Sequence, residues 1–339
     1  MKIDRVVCMK NNERLFIDII SHEDVSDDDK RVHKEKKYND LMNDIISYAE
    51  VFGEDEVIRK FEKLIIDLGC AELSYKFAKC FNKADIIAHE KIILDSGDAK
   101  WNYEFACNID GADIKAHGLS VIKSGDVRQN YLFAKNVVGA DIKAHEKVLL
   151  KSLNPTYCYL FARDVAGADV ESLGKVVISS CDAELNNLFA YQVKGADIKS
   201  HEKVVLENGK PFDLYLFARD IAGADIKLLG KKVIDSRNAE ENYYFARDIE
   251  GADVKAHEMV VLDSNDPKWN YYFAGYVKGA DIEAHKKVIQ RSLSIKWMSN
   301  FYKLFTKKEE DSDNYNDNDI IEYERTKKII KRILSLKTE

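Results

Sequence analysis

Proline is scarce. Pro155, Pro211 and Pro267 are the three prolines of a 339-residue chain, where average usage would supply more than about a dozen. So few breakers leave helices free to run, and the chain is expected to be mostly helical. Paired cysteine spacing is absent as well. Cys8, Cys70, Cys80, Cys107, Cys158 and Cys181 form no CxxC and no framework, so reduced thiols in a cytoplasmic setting are expected. No apolar run nears the ~18 residues of a membrane span, and the charged N-terminus has no signal-peptide core, so neither a span nor a leader is expected. Basic excess is missing too: a net charge of −7 argues against generic coating of nucleic acid. With 45% apolar and 33% charged residues, the composition is that of a soluble globular protein and excludes collagen-like, low-complexity and wholly disordered classes.

What the chain has is an internal repeat, whose period is the step of twenty-eight from Phe77 to Phe105. A Phe-Ala pair recurs at Phe77, Phe105, Phe133, Phe161, Phe189, Phe217, Phe245 and Phe273 with no insertion between copies. Eight residues after each Phe stands an aspartate, from Asp85 through Asp113, Asp141, Asp169, Asp197, Asp225 and Asp253 to Asp281. Alanine precedes every one, and glycine precedes that in all copies except the first, which has Lys83. After the Asp, apolar residues fall one and eight positions on, as at Ile198 and Val205, with a His or Leu four on; before it, Phe217, Ala218 and Ile221 form a second stripe. Both are faces of α-helices, and strand alternation is absent.

The punctuation agrees. Glycine suits a left-handed position ending the first helix, and Asp is a preferred N-cap for the second, worth about 1 kcal/mol over Ala. Asp98, Asp126, Asn154, Asp182, Asn238 and Asp266 cap the first helix in the same way, so Pro155 and Pro267 fall at the first helical position, with Pro211 in the equivalent place. The expected fold is therefore all-α: a right-handed α-solenoid of eight to nine αα-hairpins with atypical caps. Residues 1–34 form a small N-terminal segment, with a β-hairpin expected around Asn11-Asn12. Residues 35–69 read as a degenerate capping repeat, 70–294 as the eight copies, and 295–306 as a partial copy containing Phe301 and Trp297. An acidic linker follows at 307–319. The last segment, 320–339, reads as a basic amphipathic helix with Ile329, Ile330, Ile333 and Leu334 as its stripe.

Six of eight histidines share one repeat position: His89, His117, His145, His201, His257 and His285. A metal or proton relay is one reading. The same position holds Leu173, Leu229 and Phe61, which favours packing; helices 8–10 Å apart also suit shared zinc poorly. The aspartates are accounted for as caps, and no P-loop, GxGxxG, GxSxG or HExxH is present. No catalytic residue, metal site or cofactor is therefore expected, and the chain reads as a non-enzyme.

Three surface features remain. Tyr159 and Arg163, Tyr215 and Arg219, and Tyr243 and Arg247 are i, i+4 pairs placed for guanidinium on ring; inter-repeat packing and an aromatic contact surface both fit them. Lys115, Lys143, Lys147, Lys199, Lys203, Lys227, Lys231 and Lys255 form a row on the second helix, a basic ridge if that helix lines the concave side and otherwise a solvated mixed-charge face. Four residues before each Phe the side chain varies freely, with Trp101, Tyr157 and Trp269 as the large ones and candidate anchors for a partner.

The stretches Phe217-Ala218-Arg219-Asp220-Ile221-Ala222-Gly223-Ala224-Asp225-Ile226 and Phe245-Ala246-Arg247-Asp248-Ile249-Glu250-Gly251-Ala252-Asp253-Val254 resemble the short tandem repeats of uncharacterised bacterial and bacteriophage proteins. The whole array looks like the HEAT and tetratricopeptide-type solenoids, with a shorter unit and without the tetratricopeptide consensus, so no binding residues carry over. The resemblance implies an adaptor or inhibitor scaffold that binds a protein; a role in host–phage conflict is a further expectation that the resemblance itself does not carry. Nucleic-acid binding through a lysine-lined groove is the alternative expectation, and a HEAT-like nucleic-acid-processing enzyme a weaker one. No membrane partner is expected.

Overall fold

The computed structural model describes the backbone of residues 5–10, 13–18 and 27–310 and the side chains of 38–305. The expected tail helix at 320–339 lies outside the described residues, as does the linker beyond Glu310. Strands β1 (Arg5–Lys10) and β2 (Glu13–Asp18) pair antiparallel, with Val6 opposite Ile17 and Cys8 opposite Leu15. Helix α1 (Asp27–Phe52) is followed by α2 (Glu54–Val57), a π-helical turn at Ile58–Glu62, and α3 (Lys63–Leu68). Their core includes Met42, Ile45, Tyr48, Val57, Phe61 and Ile65, and reaches Leu73 and Phe77 of the first full copy.

From there the chain alternates two helices per copy. The first helices are α4 (Ala71–Cys80), α6 (Ala99–Asn108), α8 (Val127–Asn136), α10 (Pro155–Asp164), α12 (Ala183–Gln192), α14 (Pro211–Asp220), α16 (Ala239–Asp248) and α18 (Pro267–Tyr276). The second helices are α5 (Ile86–Ser96), α7 (Ile114–Ser124), α9 (Ile142–Ser152), α11 (Val170–Ser179), α13 (Ile198–Asn208), α15 (Ile226–Asp235), α17 (Val254–Asp263) and α19 (Ile282–Arg291). A last helix, α20 (Ile295–Glu310), stands as the first helix of an incomplete ninth copy and runs four residues into the segment read as linker. This is an α-solenoid, divided into two compact units at Leu173 and Gly174. Within each unit, hairpins stack in sequence order, and successive first helices lie closer together than successive second helices. The lysine row stands on the second helices, on the looser side of each unit.

The local chemistry explains the regularity. Side chains of Asp85, Asp113, Asp141, Asp197, Asp225, Asp253 and Asp281 accept the backbone N–H three residues on, which caps each second helix. The repeated glycine before them takes φ of 80–87°, the left-handed region that a Cβ disfavours. A second left-handed position closes every second helix except α13, where Gly209 is extended at φ −75°. Glycine fills it at Gly97 and Gly125, but Leu153, Cys181, Arg237, Asn265 and Leu293 hold φ of 54–55° there. Each of the eight Phe rings is fully buried, worth about 1.5–3 kcal/mol apiece, and the Ile, Val or Leu sixteen residues on is buried with it.

Candidate functional site

Inside the stack lies a polar spine that the repeat pattern conceals. Three residues before the Phe, five copies carry an asparagine with no solvent exposure: Asn102, Asn130, Asn186, Asn242 and Asn270. Its Nδ2 donates to two carbonyls, one in the preceding second helix and one at its own helix start; for Asn242 these are Val233 and Asn238, at 2.9 and 2.7 Å. Its Oδ1 meets Nδ1 of the histidine fifteen residues on, 2.6–2.8 Å away in all five pairs. Each Asn thus ties one second helix to the next hairpin. Where the histidine is replaced by Leu173 or Leu229, the asparagine is replaced too, by Cys158 or Leu214. The first copy has Ser74 opposite His89, and both Ser74 Oγ and His89 Nδ1 lack partners among the described residues. Burial holds His89, His145, His201, His257 and His285 down to about 4, and lowers His117 as well, against the opposing pull of nearby carboxylates. The spine is neutral at pH 7; in the five Asn-bearing copies Nδ1 faces Asn, and Nε2 of His117 and His285 lies 3.2 and 3.4 Å from Glu90 and Glu258. Among the described residues no group of three or more His, Cys, Asp or Glu is placed to hold a metal ion.

From Glu90 to Glu258 the residue after the histidine position alternates between Glu and Gly, and it builds two kinds of joint. Glu62, Glu90, Glu146, Glu202 and Glu258 accept the backbone N–H of the N-cap Asp in the next copy. The glycines instead admit the next Phe ring: a Cβ on Gly230 would lie 3.1 Å from Phe245 Cε1, and one on Gly174 3.3 Å from Phe189 Cε1. At these glycine joints Phe and His stack at 4.6–4.8 Å with ring planes 24–25° apart; elsewhere they sit at 5.1–5.2 Å and 34–37°.

The tyrosine ladder forms as its spacing requires. Arg163, Arg219 and Arg247 lie over the rings of Tyr159, Tyr215 and Tyr243 at 5.0–5.2 Å and donate to their hydroxyls at 3.0–3.3 Å. Each Arg also holds the adjacent Asp164, Asp220 or Asp248 through two nitrogens. The hydroxyls of Tyr131 and Tyr215 donate across to Asp164 and Asp248 of the next copy. Arg163, with Lys135 and Tyr131 behind it, keeps the Asp164 carboxyl well below the usual carboxylate range. The tyrosines are 3–5% exposed, so this row joins copies internally and offers solvent only its guanidinium edges. Trp269 is likewise buried, with Lys268 Nζ 3.9 Å over its ring. Trp101 and Tyr157 are half-buried against Tyr75 and Tyr131.

In the lysine row, Lys143, Lys199 and Lys255 bond at 2.8–2.9 Å to the buried Glu146, Glu202 and Glu258. Lys203 lies 4.0 Å from Glu207. Lys115, Lys147, Lys227 and Lys231 are exposed and have no ion pair among the described residues.

Outside these expected rows, unit 2 carries an aromatic strip along its first helices. Phe212, Tyr215, Tyr244, Trp269, Tyr272 and Trp297 follow one another at centroid spacings of 5.8–6.2 Å. Phe212 at one end and Tyr276 beside Tyr272 are about half exposed. The signal was present in the residue just before each Phe, which is aromatic at Tyr244 and Tyr272 and leucine at Leu188 and Leu216.

No protein-family model, curated protein or solved structure matches the chain. Among the described residues no helix is long and apolar enough to cross a membrane.

Proposed function

We propose that the chain is a non-enzymatic helical-repeat scaffold of the cytoplasm, an adaptor or inhibitor that binds a protein through the first-helix side of its second unit. The aromatic strip from Phe212 to Trp297 carries the reading. Tyr, Trp and Arg concentrate binding energy at protein interfaces, and here the rings are already held by one another and by Arg247, Lys268 and Lys296. A partner docking on them would immobilise few new rotamers. Five free cysteines among the described residues, none in a disulfide, support the reducing compartment.

Phe212→Ala and Tyr276→Ala change exposed rings and leave the core intact. Quantitative capture from the native host is expected to lose specific proteins with the double variant. An identical set captured at identical yield would overturn the surface.

Nucleic-acid binding has one observation in its favour, the four exposed lysines Lys115, Lys147, Lys227 and Lys231, which have no ion pair among the described residues. Gel shifts at low salt test it, with loss on charge reversal at those positions as the required outcome.

A further inference from the structure

Along the N-terminal edge of the aromatic strip the charge changes sign. The second and third residues of successive first helices are Glu240-Glu241 on α16, Lys268-Trp269 on α18 and Lys296-Trp297 on α20. None of these four charged side chains makes an ion pair among the described residues. Further along α14 and α16 the charges are matched, Arg219 to Asp220 and Arg247 to Asp248. Glu241 is left short in a second way, with Oε2 buried and without a hydrogen-bond partner among the described residues.

Folding gains little from the two lysines. In the first turn of a helix the macrodipole favours an acid, and α12 and α16 have Glu184 and Glu240 at the same position. Lys268 Nζ and Lys296 Nζ lie 3.9 and 4.8 Å from the ring centroids of Trp269 and Trp297, contacts worth about 0.5–1 kcal/mol, the same order as the dipole penalty they face.

The spacing of the edge says what would match it. Neighbouring helices in such a stack are about 8–10 Å apart. A chain in the polyproline II conformation rises about 3.1 Å per residue and turns once in three, so every third side chain points the same way about 9 Å further on. The two periods coincide. Segments of this kind dock on aromatic-lined surfaces, because they arrive already extended and lose little freedom. Nucleic acid fits the edge poorly: lysine covers the Trp269 and Trp297 rings where a base would have to stack, and Glu240 and Glu241 repel phosphate.

We propose that the partner presents a polyproline II segment to this edge, with a basic residue against Glu240 and Glu241, an acidic residue three places on against Lys268, a second acidic residue three further against Lys296, and prolines between them on Tyr244 and Tyr272. This rests on the strip being a protein-binding surface and adds the chemistry of what binds it.

The probe is a fluorescent peptide that reads arginine, two prolines, glutamate, two prolines, glutamate, titrated with the full chain and followed by anisotropy. Saturable binding tighter than about 1 mM is expected, weakening as salt is raised. A peptide with every charge swapped should bind wild type at least about tenfold more weakly, because attractions become repulsions at each contact. The net charge of −7 would by itself favour the swapped peptide, so this preference reads the local arrangement. Lys268→Glu with Lys296→Glu should invert the order of the two peptides, and glutamate at both positions suits the helix dipole, so the fold is expected to be kept. Equal binding of the two peptides to wild type, or saturable binding of neither, would overturn the inference. If Phe212→Ala with Tyr276→Ala still loses proteins on capture, the strip stands and only the partner's chemistry is wrong; if that capture is unchanged too, the surface itself falls. A dimer in sedimentation that dissociates on Lys268→Glu with Lys296→Glu would give the edge to a second copy, and an oligonucleotide bound by wild type and lost from that variant would give it to nucleic acid. Either result overturns the inference.

Discussion

Acid should dismantle this protein in a pH window set by its histidine spine. Five imidazoles are 0–1% exposed and are held to about 4 by burial. In the unfolded chain each would bind its proton near pH 6.5. Between those values the unfolded state binds more protons than the folded one, so stability falls as pH is lowered from about 6.5 toward 4 and the loss is complete below that. Each histidine then withdraws about 2 kcal/mol between pH 7 and pH 5, and five together withdraw on the order of 9 kcal/mol, comparable to the 5–15 kcal/mol that usually holds a domain together. Carboxylates with lowered pKa values, Asp164 and Asp248 among them, lose their contribution below about 4, in a separate window. The chain supplies its own control, because Leu214 and Leu229 replace one Asn–His pair with hydrocarbon. The double change Asn270→Leu with His285→Leu copies that solution at a position where the preceding joint is also a glutamate, Glu258. Urea unfolding followed by far-UV circular dichroism at pH 7, 6 and 5 should show the variant within about 1.5 kcal/mol of wild type at pH 7. Its loss between pH 7 and 5 should be smaller by about 2 kcal/mol. The same pH dependence in both proteins would refute the reasoning.

The non-glycine residues at the second left-handed position should be improvable: Leu153→Gly or Leu293→Gly, both at φ 55° and well exposed, should gain about 1 kcal/mol in chemical unfolding, as Gly97 and Gly125 foreshadow. Ser74→Asn should restore the missing partner of His89 Nδ1 and add about 1 kcal/mol, read as a higher unfolding midpoint. Cys158, buried and with its thiol pushed up to about 12, should stay silent to a thiol reagent at pH 8 while the exposed Cys80, Cys107 and Cys181 react; prompt labelling of Cys158 in folded protein would contradict its environment.

The sequence displayed the architecture because every copy repeats its signals in register: a cap aspartate, a left-handed glycine and a buried Phe at fixed offsets. The pairing of β1 with β2 was readable from the two runs on either side of Asn11-Asn12. The spine was less visible, since the link between Asn242 and His257 spans fifteen residues and two helices, beyond any single helical face. Its clue was joint absence, Cys158 with Leu173 and Leu214 with Leu229. The Tyr–Arg pairs form at the spacing the sequence shows, but spacing alone does not tell a ring packed between copies from one open to solvent. Tyr159 and Trp269 fall on the buried side of that distinction, and Phe212 and Tyr276 on the exposed side.

The alternation of Glu and Gly joints makes a pair of copies, and not a single copy, the length in which this protein can be cut and rejoined. Every glycine joint is followed by a histidine, at His145, His201 and His257, whereas glutamate joints accept either histidine or leucine. Excising the one copy that holds His201 and Glu202 would set Gly174 against Leu229, a combination the chain does not contain, and would leave a gap where a stacked ring belongs. Removing or adding two copies together preserves every neighbour. Recombination within such a gene would therefore be tolerated in double steps, and artificial arrays of this unit should be lengthened in the same increments.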